Sequence, residues 1–120
     1  MSLLIVDDER DIRESLQEFF EEEGFSVVVA ANGREALEAM SQDPPPCLVI
    51  LDLIMPVMSG NEVYEVMQKD GRLASVPVII STSDPSRAPS GVLIMKKPID
   101  LDRMLDAVRQ YCSELNSKTA

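Results

Sequence analysis

Three aspartates stand where short apolar runs stop. Leu3-Leu4-Ile5-Val6 runs into Asp7-Asp8, and Asp52 interrupts the greasy stretch "VILDLIMPVMSG" at residues 49–60. Burying an unpaired carboxylate costs several kcal/mol. After a single apolar run, an aspartate ordinarily just ends a strand and caps the next loop. A pair and a single one on neighbouring strands form a site instead, because carboxylates sharing a pocket repel unless a cation or protons intervene. A hard divalent ion such as Mg2+ accepts one or two carboxylates, keeps waters and leaves positions for phosphate oxygens. Two later runs end in groups of the opposite kind. Val76 to Ile80 leads to Ser81-Thr82-Ser83, and Val92 to Met95 leads to Lys96-Lys97-Pro98. Alone, Thr82 reads as a loop hydrogen bonder and Lys97 as a solvated charge. Beside the acidic cluster they supply donors for a phosphoryl group's oxygens.

What the chain lacks narrows the chemistry further. Histidine is absent, which removes imidazole metal sites, Ser-His and Cys-His nucleophile pairs and any phosphohistidine of its own. Cys47 and Cys112 are too few and too far apart for a zinc site or a disulfide framework, so free cytoplasmic thiols are expected. The net charge of −10 repels nucleic acid phosphates and anionic membranes. No direct nucleic acid binding and no membrane partner are therefore expected. The first apolar run is too short for a signal peptide core or a membrane span, which leaves the cytoplasm as the expected location. A length of 120 residues suits one domain, 1–120, with no internal boundary or repeat.

These side chains need a frame to bring them together. Leu3–Val6, Phe25–Val29, Cys47–Leu51, Val76–Ile80 and Val92–Met95 are unbroken apolar runs, as in parallel strands buried on both faces. Helical patterns lie between them. Ile12, Leu16, Phe19 and Phe20 share one face, and Gly24 stands where a C-terminal cap belongs. Asn32 with Glu35, and Ser59 with Glu62, read as capping boxes for helices bearing Leu37 and Met40, and Val63, Val66 and Met67. Asp43-Pro44-Pro45-Pro46 breaks the second helix. Asp100 caps a last helix carrying Leu101, Met104, Leu105, Val108, Tyr111 and Leu115. This alternation predicts an α/β fold with right-handed crossovers. The strand order is borrowed from flavodoxin-like doubly wound folds, a five-stranded parallel sheet of order 2-1-3-4-5. In that order the crevice lies beyond the carboxyl ends of the first and third strands, so Asp7, Asp8 and Asp52 meet there.

With these residues in place, the whole chain resembles a response-regulator receiver domain of two-component signalling. Asp7-Asp8, Asp52 in "DLIMPVMSG", Thr82 five residues after Pro77, and Lys97-Pro98 carry the resemblance. It implies that Asp52 accepts a phosphoryl group from the phosphohistidine of a sensor histidine kinase or phosphotransfer protein. It also implies Mg2+ held by Asp8, Asp52 and the backbone carbonyl of Ile54, with Asp7 acting through water. Lys97 would pair with the phosphoryl group, Thr82 would swing toward it, and the Lys97–Pro98 peptide bond would be cis. Output would pass to a downstream protein or an attached output domain, and dimerisation stays open. A carboxylate ionised at pH 7 needs no general base, and a metal offsets transition-state charge. The chain would be no enzyme beyond its own phosphorylation and dephosphorylation.

Two departures from the family stand out. Only "SDPSRAPSG", residues 83–91, separates Thr82 from the fifth apolar run, where receivers ordinarily carry a full fourth helix. Pro85 and Pro89 each remove an amide donor and disfavour α geometry in the residue before, so that helix is expected to be missing or reduced to one turn. Nine extended residues span roughly 30 Å, enough to return along a strand of about 17–20 Å. Loss of the helix would uncover one face of the fourth and fifth strands, a candidate docking patch. The aromatic that receivers commonly carry three residues before the lysine is replaced by Ile94. Two other functions compete with the phosphoacceptor. One is a receiver-like interaction module that is never phosphorylated. The other, a Mg2+-dependent phosphohydrolase, lacks a second aspartate two residues after Asp52, where Ile54 stands.

Overall fold

The computed structural model describes the backbone of residues 2–42 and 44–119 and the side chains as far as Cys112. Asp43 and the Leu115 side chain lie outside the described residues. Five parallel strands form one sheet: β1 (Leu3–Val6), β2 (Val27–Ala30), β3 (Leu48–Asp52), β4 (Val78–Thr82) and β5 (Leu93–Lys96), in the order β2-β1-β3-β4-β5. The flavodoxin-like order borrowed for the expectation is the one found. Strands β1, β3 and β4 are buried at every position, as their continuous apolar runs require. Strands β2 and β5 are only partly buried; they lie at the edges, where the reading of two covered faces fails. Phe25 falls before β2 because it belongs to the end of the preceding helix.

The helices α1 (Arg10–Glu22), α2 (Gly33–Met40), α3 (Gly60–Lys69) and α4 (Leu101–Thr119) cover the two faces. Helix α1 stops at Gly24, whose φ of 96° suits a residue without Cβ. Its amide donates to the Glu21 carbonyl at 3.1 Å, and the Phe25 amide to the Phe20 carbonyl at 3.0 Å, closing the last turn. The Phe20 and Phe25 rings then meet edge to face. Ser59 and Glu62 form the expected reciprocal capping box on α3. On α2 the box is looser: Asn32 accepts from the Glu35 amide, but the Glu35 carboxylate reaches back to the Ala31 amide. Asp100 caps α4 through the Arg103 amide at 3.1 Å.

One face of the sheet packs α2 and α3 through Ala36, Met40, Val63 and Met67. The other packs α1 and α4 through Leu16, Phe20, Met104, Leu105 and Val108. Val66, Leu101 and Tyr111, expected in the core from their spacing, are exposed instead. They lie at the margins of their helices' apolar stripes.

Between β4 and β5 stands a single turn of 3-10 helix, Pro85–Arg87. The expected loss of the fourth helix is what the structure has. The expected loss of cover is found only in part: β4 is fully buried, with Ala88, Val92 and Ile94 packed on the same core as α2 and α3, while β5 stays partly buried with Leu93 exposed. Asn61 on α3 ties this strap down by donating from Nδ2 to the Arg87 carbonyl at 3.1 Å.

The cysteines also differ from expectation. Cys47 and Cys112 are disulfide-bonded, with Cα atoms 5.6 Å apart. Cys47 sits at the foot of β3, where its amide donates to the Ser2 carbonyl at 2.9 Å. Met104, Val108 and Cys112 recur every four residues, so Cys112 lies on the buried stripe of α4. Sixty-five residues of separation hid a contact that the strand order creates.

Candidate functional site

The carboxyl ends of β1 and β3 are adjacent, since Val6 pairs with Leu51. Asp7 follows Val6, and Asp52 is the last residue of β3. One carboxylate oxygen from each of Asp7, Asp8 and Asp52 lies within 4.8 Å of the others. Asp7 and Asp52 are buried, while Asp8 is exposed. Lys97, one residue past β5, places Nζ 2.9 Å from Asp7 Oδ2 and 3.6 Å from Asp52 Oδ1. The Glu9 amide donates to Asp7 Oδ1 at 2.9 Å, and Arg13 donates to the Asp7 carbonyl at 2.9 Å. Asp7 is thus held from the loop, from α1 and from β5. The Lys97–Pro98 peptide bond is cis, as expected.

One ammonium does not neutralise three carboxylates. Asp52 shows the strain: burial first, then the charge of Asp7, raise its pKa from 3.8 to about 6, with Asp8 adding to the rise and Lys97 opposing it. Burial pulls the Lys97 pKa down, but its hydrogen bond to Asp7 and the charges of Asp7 and Asp52 outweigh burial and raise it above 10.5. The cluster offers only hard oxygen donors, and it holds more negative charge than its own cation balances. A divalent oxygen-seeking ion fits that donor set.

The structure therefore brings Asp7, Asp8, Asp52 and Lys97 together. Thr82 stands at the same edge with its hydroxyl engaged by Asp84: its Oγ1 accepts from the Asp84 amide at 3.1 Å, and its carbonyl accepts from the Lys97 amide at 2.8 Å. Ile54, two residues after Asp52, is half exposed in the loop leading to α3. That loop is anchored where the Gly60 amide donates to the Leu53 carbonyl at 2.8 Å. A Cβ on Gly60 would collide with the Asp52 carbonyl, so only glycine lets α3 start this close to the end of β3. Two residues were not singled out from the sequence. Val57 has φ of 71°, a region that β-branched residues avoid; no local signal marks it. Ser81 pairs with Asp52 in the β3–β4 register. The one available signal for it was its place as the first polar residue after the fourth apolar run.

An open parallel sheet with an acidic crevice at the carboxyl ends of β1 and β3, where strand order reverses, defines a doubly wound α/β protein with its site at the switch point. The family model described as "Response regulator receiver domain" matches residues 3–109, and the chain belongs to that family. Response regulator Rre1 of Synechocystis is 38% identical, over all of this chain and 58% of that protein. Sporulation initiation phosphotransferase F of Bacillus subtilis is 35% identical over 91% of both chains. The chain spans about half the length of the MprA response regulators it also matches. Among solved structures, a response regulator receiver protein from Pseudomonas putida superposes with a TM-score of 0.82 at 28% identity, covering 90% of this chain and 94% of that one. The Thermotoga maritima response regulator TrrA, solved in complex with Mg(2+)-BeF, gives 0.80 at 32%, covering 92% and 99%. No helix among the described residues is long and apolar enough to cross a membrane.

Proposed function

We propose that this chain, read as one domain over residues 1–120, is the phosphoacceptor receiver of a two-component phosphorelay. Asp52 takes the phosphoryl group from the phosphohistidine of a sensor histidine kinase or phosphotransfer protein. The observation that carries the reading is the convergence of Asp7, Asp8 and Asp52 within 4.8 Å, with Lys97 against two of them. Similarity to a protein named a phosphotransferase, over nine-tenths of its length, supports it.

In the reaction an Asp52 oxygen attacks phosphorus, the bond from phosphorus to the donor nitrogen breaks, and its electron pair stays with the imidazole. Asp52 suits this role because it is buried at a strand end and its carboxylate is still ionised above about pH 6. Lys97, already seated between Asp7 and Asp52, has spare N–H donors for a phosphoryl oxygen. The Thr82 hydroxyl, whose proton now reaches only the Asp84 carbonyl at 3.5 Å, would swing to donate to another phosphoryl oxygen. Asp8, Asp52 and the Ile54 carbonyl, with Asp7 through water, would hold Mg2+. When bound, the ion offsets charge on the phosphoryl oxygens. Output then passes to a downstream protein or attached domain in the cytoplasm, without nucleic acid or membrane contact by this chain.

Treatment with acetyl phosphate and Mg2+ tests this: intact mass should rise by one phosphoryl group, and Asp52→Asn should abolish the gain. Asp8→Ala should lose both Mg2+ affinity, by titration, and phosphorylation. Unchanged mass in the native chain, or equal labelling of Asp52→Asn, would sink the assignment in favour of an unphosphorylated interaction module.

A further inference from the structure

Four polar side chains are buried among the described residues: Asp7, Asp52, Ser81 and Thr82. Asp7 holds Lys97 and the Glu9 amide, Asp52 faces Lys97, and Thr82 accepts from the Asp84 amide. Ser81 differs. Its Oγ is fully enclosed and has no hydrogen-bond partner. A buried hydroxyl without a partner is destabilising, and it stands out beside Thr82, the next residue of β4, whose hydroxyl is paired.

Its position suggests what the hydroxyl meets. Ser81 lies across from Asp52 on one side and Met95 on the other. Residues paired across parallel strands project to the same face, and adjacent strands run about 4.8 Å apart. Ser81 and Asp52 therefore rise side by side on the face that packs α1 and α4, and Met95 closes the other flank with a thioether. Across this row the carboxyl of Asp52 is the strong acceptor. Rotation about χ1, among its staggered wells, turns the serine oxygen toward it or away.

We propose that Ser81 donates a hydrogen bond to the Asp52 carboxyl as the phosphoryl group departs, and so sets how long the aspartyl phosphate survives. The inference rests on the phosphoacceptor reading above. In hydrolysis a water oxygen attacks phosphorus, and the bond from phosphorus to the Asp52 oxygen breaks. The electron pair returns to the carboxyl as negative charge, and the water's proton leaves with inorganic phosphate or to solvent. The acyl phosphate's carbonyl is a weak acceptor and the departing carboxylate a strong one. A hydroxyl turned toward it from the neighbouring strand therefore donates a hydrogen bond that strengthens as charge develops, which lowers the barrier. Ser81 shortens the life of the phosphorylated state.

The test compares native protein, Ser81→Ala and Ser81→Thr, each labelled with acetyl phosphate and Mg2+ and then freed of donor. Decay is followed by intact mass, and the acyl phosphate carbonyl stretch by infrared difference spectroscopy. Ser81→Ala should lengthen the half-life about tenfold, below the roughly hundredfold of a preorganised oxyanion donor because this hydroxyl must first rotate into place, and shift the carbonyl band to higher frequency. Ser81→Thr, which keeps the hydroxyl, should restore both to near native values. The melting temperature of Ser81→Ala should not fall, since the hydroxyl it removes has no partner. Equal half-lives and an unmoved carbonyl band in a labelled Ser81→Ala protein would overturn this inference alone. A native chain that takes no phosphoryl group overturns the phosphoacceptor reading and this inference with it.

Discussion

At the carboxyl ends of its strands the described chain buries Asp7, Asp52, Ser81 and Thr82, whereas at the amino ends it buries Cys47, Leu48, Phe25 and Cys112 and no polar side chain. The first group holds carboxylates that repel one another and a serine hydroxyl without a partner; the second is closed by apolar contact and a covalent bond. A cluster such as Asp7-Asp8-Asp52 destabilises the fold that carries it, so the stabilising contacts have to lie elsewhere. Here they lie along the strands and at the far end. Chemistry and stability are thus placed at opposite ends of one sheet, and each end should be removable with little damage to the other.

The largest effect on stability is expected at the amino end. The disulfide closes a loop across a separation of 65 residues, and chain-entropy arguments assign such a loop about 4 kcal/mol. Reduction, or Cys112→Ala, should lower the denaturation free energy by about that amount at an unchanged slope with denaturant. Mg2+ affinity and acetyl phosphate labelling should stay native while the protein is folded. Loss of labelling in the folded, reduced protein would break the separation of the two ends.

The next effect belongs to Asp52 and runs the other way. Its pKa rises from 3.8 to about 6 on folding, a difference of about 3 kcal/mol. The folded state binds this proton more tightly than the unfolded one, so the contribution is complete below about pH 4. It falls away as pH rises through 6. In metal-free buffer, Asp52→Asn should therefore be more stable than the native chain at pH 7, by up to about 3 kcal/mol. The advantage should fade between pH 6 and pH 4. Parallel stability curves for the two proteins across that range would mean that the carboxylates do not strain the fold.

Most of this plan was legible in the residues, because both kinds of signal are local. Unbroken runs such as Leu3–Val6 mark buried strands, and Asp7, Asp52, Thr82 and Lys97 sit at or just past strand ends in chain order. Pro85 and Pro89 announced the missing helix for the same reason: a proline acts on its own backbone and its neighbour's. What stayed hidden depends on partners far away in sequence. The pairing of Cys47 with Cys112 needs the strand order and the rotation of α4. The cover that Ala88, Val92 and Ile94 give to β4 needs the path of the strap. The orientation of Thr82 toward Asp84 needs a χ1 angle, which a residue type does not specify.

Gly60 joins the fold to the site. Its missing side chain admits the Asp52 and Leu53 backbone. Gly60→Ala should lower stability by about 1–3 kcal/mol, as overpacking does. It should also weaken Mg2+ binding, because the displaced strand end carries Asp52. A stability loss with native Mg2+ affinity would show that the end of β3 tolerates movement, and would sharpen the boundary between the two ends to within a few residues.

The smallest effect concerns Val57, in the same loop. The Met58 amide donates to the Pro56 carbonyl at 2.8 Å, two residues back, which makes a tight turn about Val57 with φ of 71°. A β-branched side chain in that region is unfavourable by about 1–2 kcal/mol. The side chain is 75% exposed, so its burial returns almost nothing. Val57→Gly relieves the backbone while giving the unfolded chain about 0.5–1 kcal/mol more entropy to lose. The net expectation is a gain of at most about 1 kcal/mol, read as a rise of a few degrees in melting temperature. Labelling of Asp52 should be unchanged, because Val57 contributes no group to the cluster. A fall in stability would mean that the valine side chain, rather than the turn hydrogen bond, fixes this loop. The strain at the carboxyl end would then be confined to the charges.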